Sequence, residues 1–250
     1  AGDIDENGTV DFNDVKMLTD CWLDECVPQN QHWAVIVGIS DYNAIPDKNY
    51  CHEDANDWYN YFTALGYEHI WVYGDTNPGN YAQYDGLATE DNIQNALQNV
   101  LSSADSNDVI AFIFSGHGDN PGTGNVSLRA WDATAGVGGH DGDLWDYELA
   151  GLFGTSVASR VFIFLDSCFS GGMIDDLAGL PNADTFYAAA TCTDVGCSND
   201  EPAYNNGAWS YWFEEAGLVN HYASNPGTSM EACFSWADAQ YNPGGDDEPV

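Results

Sequence analysis

Two short stretches hold the side chains that could do covalent chemistry. One is Ser115-Gly116-His117-Gly118; the other is Asp166-Ser167-Cys168-Phe169-Ser170-Gly171-Gly172. An imidazole beside a thiol can take its proton and yield the thiolate, the form that attacks a carbonyl carbon. Flanking glycines let a substrate backbone approach and leave amides free to face an oxyanion. His117 precedes Cys168 by about fifty residues, so the chemistry depends on the elements that carry them.

Those elements are legible as alternating apolar runs and amphipathic segments. Residues 32–39, 108–114 and 160–165 are continuous apolar runs, as expected for strands buried on both faces. Residues 70–73 and 185–190 read as weaker strands. The 3.6-residue period predicts helices over 53–65, 89–101, 208–218 and 230–240, with Thr89 as a cap. A further helix is expected over 144–153, capped by Asp143. Strands alternating with helices imply βαβ units and a parallel sheet with right-handed crossovers. The motif at His117 follows one buried run and the motif at Cys168 follows another, so both are expected beyond the carboxyl ends of strands, where open parallel sheets bind ligands. Residues 74–88, 119–142 and 191–207 are expected as long, functional loops.

The 250 residues carry 40 acidic and 4 basic side chains, a formal net charge of −36. No basic patch exists to neutralise phosphates, which excludes the usual nucleic-acid binders. Adhesion to an anionic membrane surface is excluded for the same reason. No apolar run reaches the roughly 18–20 residues of a membrane span. With 44% hydrophobic and 14% aromatic residues, the chain can still bury a core. The acidity suits a secreted protein or a high-salt habitat, and secretion is the expectation adopted. The start at Ala1 rather than Met fits a processed mature form. Seven cysteines leave one thiol unpaired, and Cys21/Cys26 and Cys192/Cys197 are candidate local disulfides. The alternative is reduced, buried thiols.

At the front of the chain, Asp3, Asp5, Asn7, Thr9, Asp11 and Asp14 fall at positions 1, 3, 5, 7, 9 and 12 of a calcium loop, with Gly8 at the sharp turn. Val15, Leu18 and Trp22 follow at helical spacing. The segment resembles half of a dockerin, whose calcium loops end in Asp. It implies calcium as cofactor and a cohesin-like or self-assembly partner. The expected domains are a calcium-binding segment over 1–27 and a catalytic domain over 28–250.

In their order and their place in a βαβ chain, the two chemical motifs resemble those of the caspase-like cysteine peptidases. The nucleophile stretch is similar to that of metacaspases, with Phe169 where His is usual, and Cys51-His52-Glu53-Asp54-Ala55 resembles their Cys-x-x-Asp-Ala segment. Asn49-Tyr50-Cys51-His52 is similar to a legumain motif with Cys in place of Arg. The resemblance implies an α/β fold, a caspase-like sandwich of a mainly parallel sheet flanked by helices. It implies Cys168 as nucleophile, His117 as acid/base without a third member, and the amides of Gly118 and Cys168 as oxyanion hole. It also implies Asp54 and Asp166 as walls of a pocket for Arg or Lys, since paired carboxylates favour a guanidinium or ammonium. The alternatives are legumain-like cleavage after Asn or Asp, and a non-enzymatic extracellular adhesion or assembly subunit on the same fold. Asp141, Asp143 and Asp146 are a weaker calcium candidate than a charged helix start. Arg129, in the expected loop 119–142, is the expected self-processing site if cleavage is basic-specific.

Overall fold

The computed structural model describes residues 30–225 and 227–250. The expected calcium ligands Asp3, Asp5, Asn7, Thr9, Asp11 and Asp14, the helix behind them and Cys21/Cys26 lie outside the described residues.

A six-stranded sheet forms the centre, in the order β3-β2-β1-β4-β8-β9, and every pairing in it is parallel. Its strands are β1 (His32–Gly38), β2 (His69–Gly74), β3 (Gly86–Leu87), β4 (Val109–Ser115), β8 (Arg160–Asp166) and β9 (Phe186–Ala190). The continuous apolar runs have a direct cause. In β1, β4 and β8, Val35, Phe112 and Ile163 join one core while Ile36, Ile113 and Phe164 join the other. A period of two in side-chain direction, with helices on both faces, requires apolar residues at every position.

On the first face pack α2 (Glu90–Ser103), α3 (Asp146–Phe153) and α4 (Gly171–Ala178), through Ile93, Leu97, Leu149, Phe153, Met173 and Leu177. On the second pack α1 (Cys51–Leu65), α5 (Ala208–Ser210, continuing as a π-helix over Tyr211–His221) and α6 (Met230–Tyr241). Trp58 of α1 is fully buried at the centre of that face, with ring centroids 4.9 Å from Phe164 and 5.4 Å from Phe62. Thr89 caps α2 as expected, accepting from the Asn92 amide at 3.2 Å.

Three expectations are corrected. Residues 143–145 are not the first turn of a helix but strand β7 (Asp143–Trp145). It pairs with β6 (Ser127–Arg129), which pairs with β5 (Gly118–Asp119), in a small antiparallel sheet. Asp143 does not cap α3, because its carboxylate is drawn to Arg129 Nε at 3.1 Å. Arg129 therefore lies in a strand, not an open loop. It is held by Asp119 as well, at 2.7 Å, and its side chain is only 13% exposed, so its peptide bond is a poor cleavage site. The segment 208–218 is largely π-helical rather than α-helical; the Tyr222 amide closes the wider turn onto the Gly217 carbonyl at 2.9 Å. Helix α4, strands β3, β5 and β6, and a short hairpin of β10 (Asp200–Glu201) and β11 (Asn206–Gly207) also have no counterpart in the sequence reading.

Truncating the central aromatic tests the second core. Trp58→Ala is expected to lower unfolding stability by about 3–5 kcal/mol, read from the midpoint and slope of urea denaturation.

Candidate active site

The site is set by strand register. Gly38 of β1 lies opposite Ser115 of β4, and Ser115 lies opposite Asp166 of β8. His117 and Cys168 are each two residues past that matched pair. The two motifs leave the sheet side by side at its carboxyl edge. The Gly116 amide donates to the Asp166 carbonyl at 3.2 Å and ties them together there.

His117 is half-buried and held from three sides. Its amide donates to the Tyr42 hydroxyl at 2.8 Å, its carbonyl accepts from the Arg129 amide at 2.9 Å, and its ring packs on Tyr42 with centroids 5.0 Å apart. Its Nε2 lies 2.8 Å from the Pro46 carbonyl oxygen. A carbonyl only accepts, so Nε2 carries the proton and Nδ1 is the basic nitrogen. The Pro46 carbonyl is thus the ring's hydrogen-bond partner. A main-chain carbonyl has no residue signature, so sequence could not reveal it. Burial holds His117 below the ordinary histidine range. Its bond to Pro46 acts the other way, while Lys48 and Arg129 push it further down.

Cys168 is partly exposed, and its sulfur accepts from the Ser198 amide at 3.4 Å. Among the described residues no hydrogen bond joins the His117 ring to that sulfur. Phe169 sits at φ +62° and its amide is tied to the Gly196 carbonyl at 2.9 Å. A non-glycine residue here costs of order 1–3 kcal/mol, a strain that clusters at functional sites. Gly118 packs against the main chain of Cys168. Gly118 faces Leu128 on β6, next to the bonded pair His117 and Arg129. Antiparallel pairs alternate, so the Gly118 N–H points away from β6. A Cβ at Gly118 would lie 1.9 Å from the Cys168 carbonyl oxygen, so only glycine allows this approach. A cavity of about 210 Å³ opens beside His117, lined by Ile45, Pro46, Gly118, Asp119 and Arg129. A larger one, about 450 Å³ between α1 and α5, is lined by Tyr61, Glu214 and Tyr222 and holds neither motif.

Asp54 and Asp166 do converge, across Gly207. A Cβ on Gly207 would lie 2.4 Å from Asp166 Oδ2 and 2.9 Å from Asp54 Oδ2. Both residues are buried rather than lining an open surface. Asp54 accepts from Ser115 Oγ at 2.5 Å and from the Gly207 amide at 2.8 Å. Asp166 accepts from Ser198 Oγ at 2.6 Å and from the Ser210 amide and hydroxyl, each at 2.9 Å. Burial, then the charge of Asp166, raises Asp54 well above the usual carboxylate range. Gly38 lets α1 deliver Asp54, because a Cβ there would lie 2.2 Å from the Cys51 carbonyl oxygen. Sequence reasoning missed Lys48, whose Nζ is 3.5 Å from Asp200 Oδ1 with a side chain only 11% exposed. Burial opposes its charge, but Cys51, Asp166, Asp200 and Cys168 outweigh that and hold it protonated above the ordinary lysine range. Its rarity was the one available signal, as one of only 4 basic residues.

Among the described residues, no cluster of His, Cys, Asp or Glu could hold a metal. Asp146 is taken by the Val126 and Tyr147 amides, each at 2.8 Å, and Asp143 by Arg129, so the weaker calcium candidate is not assembled. The described cysteines Cys51, Cys168, Cys192, Cys197 and Cys233 are all free, and the candidate Cys192/Cys197 disulfide is not formed.

A family model described as the caspase domain matches residues 31–218. Among solved structures, protein GSU0716 from Geobacter sulfurreducens is similar in fold. It has a TM-score of 0.62 and 16% identity over 88% of this chain and 92% of that one. A search of curated proteins finds no match.

The electrostatics of His117 can be checked directly. Its ring, followed by NMR in the Cys168→Ala variant, is expected to titrate below about 6.5. Lys48→Met removes a positive charge that opposes the imidazolium, so the midpoint is expected to rise.

Proposed function

The chain belongs to the caspase domain family, and from that premise we propose that it is an endopeptidase working through His117 and Cys168. The matched ends of β4 and β8 carry this reading, because they set both motifs at one edge in one register. The Cys168 thiol gives its proton to His117 Nδ1 and its sulfur attacks the scissile carbonyl. The Gly118 and Cys168 amides bind the developing oxyanion. His117 then protonates the leaving amine, and a water releases the acyl group by the same relay. The Pro46 carbonyl keeps Nδ1 as the working nitrogen throughout.

Cleavage after Arg or Lys is the specificity we favour, supported by Asp54 and Asp166 meeting across Gly207 with Asp200 nearby. Lys48 favours a second specificity, after Asn or Asp, because its ammonium is buried among these carboxylates beside Cys168. We further propose that Asp3, Asp5, Asn7, Thr9, Asp11 and Asp14 bind calcium, on their spacing, and that a cohesin-like or second-copy partner docks on that segment. We assign the enzyme to the extracellular space on its composition: 40 acidic residues against 4 basic.

Fluorogenic peptides ending in Arg, Lys, Asn or Asp, given with reductant and calcium, test the reading. Hydrolysis is expected to vanish in Cys168→Ala and to fall by about 10²–10⁴-fold in His117→Ala. Asp166→Asn is expected to weaken kcat/KM for Arg and Lys substrates by about tenfold or more while leaving thiol alkylation of Cys168 intact. No cleavage by the parent protein overturns the peptidase assignment. Cleavage confined to Asn or Asp peptides overturns the acidic-pocket assignment and leaves the dyad standing.

A further inference from the structure

Three thiols gather around the nucleophile motif, and they differ in what they can reach. Cys192 is fully buried; its thiol donates to the Ser167 carbonyl at 3.5 Å and lies 3.9 Å from Ser170 Oγ. Burial pushes it up to about 11, so it is protected and unreactive. Cys197 is exposed. Its two chain neighbours grip the nucleophile strand: the Gly196 carbonyl accepts from the Phe169 amide at 2.9 Å, and the Ser198 amide donates to Cys168 Sγ at 3.4 Å. The backbone at Cys197 therefore runs against the backbone at Cys168. The loop is pinned from its far side as well. The Cys197 amide donates to Asp247 Oδ1 at 2.7 Å, and the Thr193 amide donates to the Asp246 carbonyl at 3.0 Å. Burial, and then the charge and hydrogen bond of Cys168, raise the Cys197 thiol.

We infer that Cys197 is a resolving thiol for Cys168, so that peroxide converts the nucleophile reversibly into a Cys168–Cys197 disulfide. In the first step the Cys168 thiolate attacks one peroxide oxygen. The O–O bond breaks, hydroxide leaves and takes a proton to become water, and Cys168 becomes a sulfenic acid. In the second, the Cys197 thiol loses its proton and its sulfur attacks the Cys168 sulfur. The S–O bond breaks, and the departing hydroxide takes that proton as a second water. Two thiols are oxidised to one disulfide, and one peroxide is reduced to two waters. Without a resolving thiol, a second peroxide carries the sulfenic acid to sulfinic acid, which thiol reductants do not reverse. The loss of activity this implies rests on Cys168 being the nucleophile; the disulfide itself does not.

The experiment treats the reduced full-length protein with graded hydrogen peroxide. Non-reducing peptide mapping is read beside iodoacetamide labelling of Cys168 and peptide hydrolysis. The parent is expected to form the Cys168–Cys197 cross-link and lose labelling by about tenfold or more, recovered with dithiothreitol. Cys192→Ser is expected to behave as the parent. Cys197→Ser is expected to retain hydrolysis when reduced, but at the same peroxide dose to lose labelling without recovery, with two added oxygens on Cys168. A parent that goes to sulfinic acid as readily as Cys197→Ser, a cross-link to Cys192, or a Cys168 that resists peroxide would each overturn the proposal. A cross-link in a protein whose reduced form cuts no peptide supports the thiol pair and overturns the peptidase reading instead.

Discussion

Three neighbouring parallel strands end in phase, and that ladder governs the site. Gly38, Ser115 and Asp166 stand in one row across β1, β4 and β8. Parallel register is fixed by burial on both faces, since a slip of one residue would send each side chain to the opposite core. The two apolar cores therefore hold His117 and Cys168 at a common edge without any direct bond between their side chains. The same row supplies their surroundings: Ser115 bonds Asp54, and Asp166 is at once a strand residue and the acceptor for Ser198 and Ser210.

The second constraint is electrostatic. In a chain with a formal charge of −36, two of the four basic side chains flank His117. Arg129 is neutralised by Asp119 and Asp143 and fastens the small sheet that carries Gly118. Lys48 is buried among Asp166, Asp200 and two thiols. Both cations oppose protonation of the imidazole. The acidic pair is kept from repulsion by the donors aimed at it and by burial that favours the neutral form of Asp54.

Legibility followed the strength of the local signal. The buried strands could be read because an apolar run bounded by glycine and polar residues has few other uses. The helices at 51–65, 90–103 and 230–241 fell within one or two residues of their expected places. Strand β7 was misread because Leu144 and Trp145 continue into the apolar face of α3, and only pairing with β6 separates them. Helix α4 went unread because its first glycines belong to the nucleophile motif. The spacing of Met173 and Leu177 would have revealed it. The π-helical run was beyond reach, since nothing in its residue types distinguishes it from an α-helix.

The sequence by itself determined the α/β class, the two chemical motifs and their order, and the acidity of the chain. Those are properties of residue type and short spacing. Tertiary structure alone decided that the Pro46 carbonyl meets the His117 ring, that Gly207 divides Asp54 from Asp166, that Lys48 pairs with Asp200 and that the Ser198 amide meets the Cys168 sulfur. Each of these joins segments distant in the chain or uses a main-chain group. Their meeting is set by strand register and crossover geometry, which no local pattern encodes.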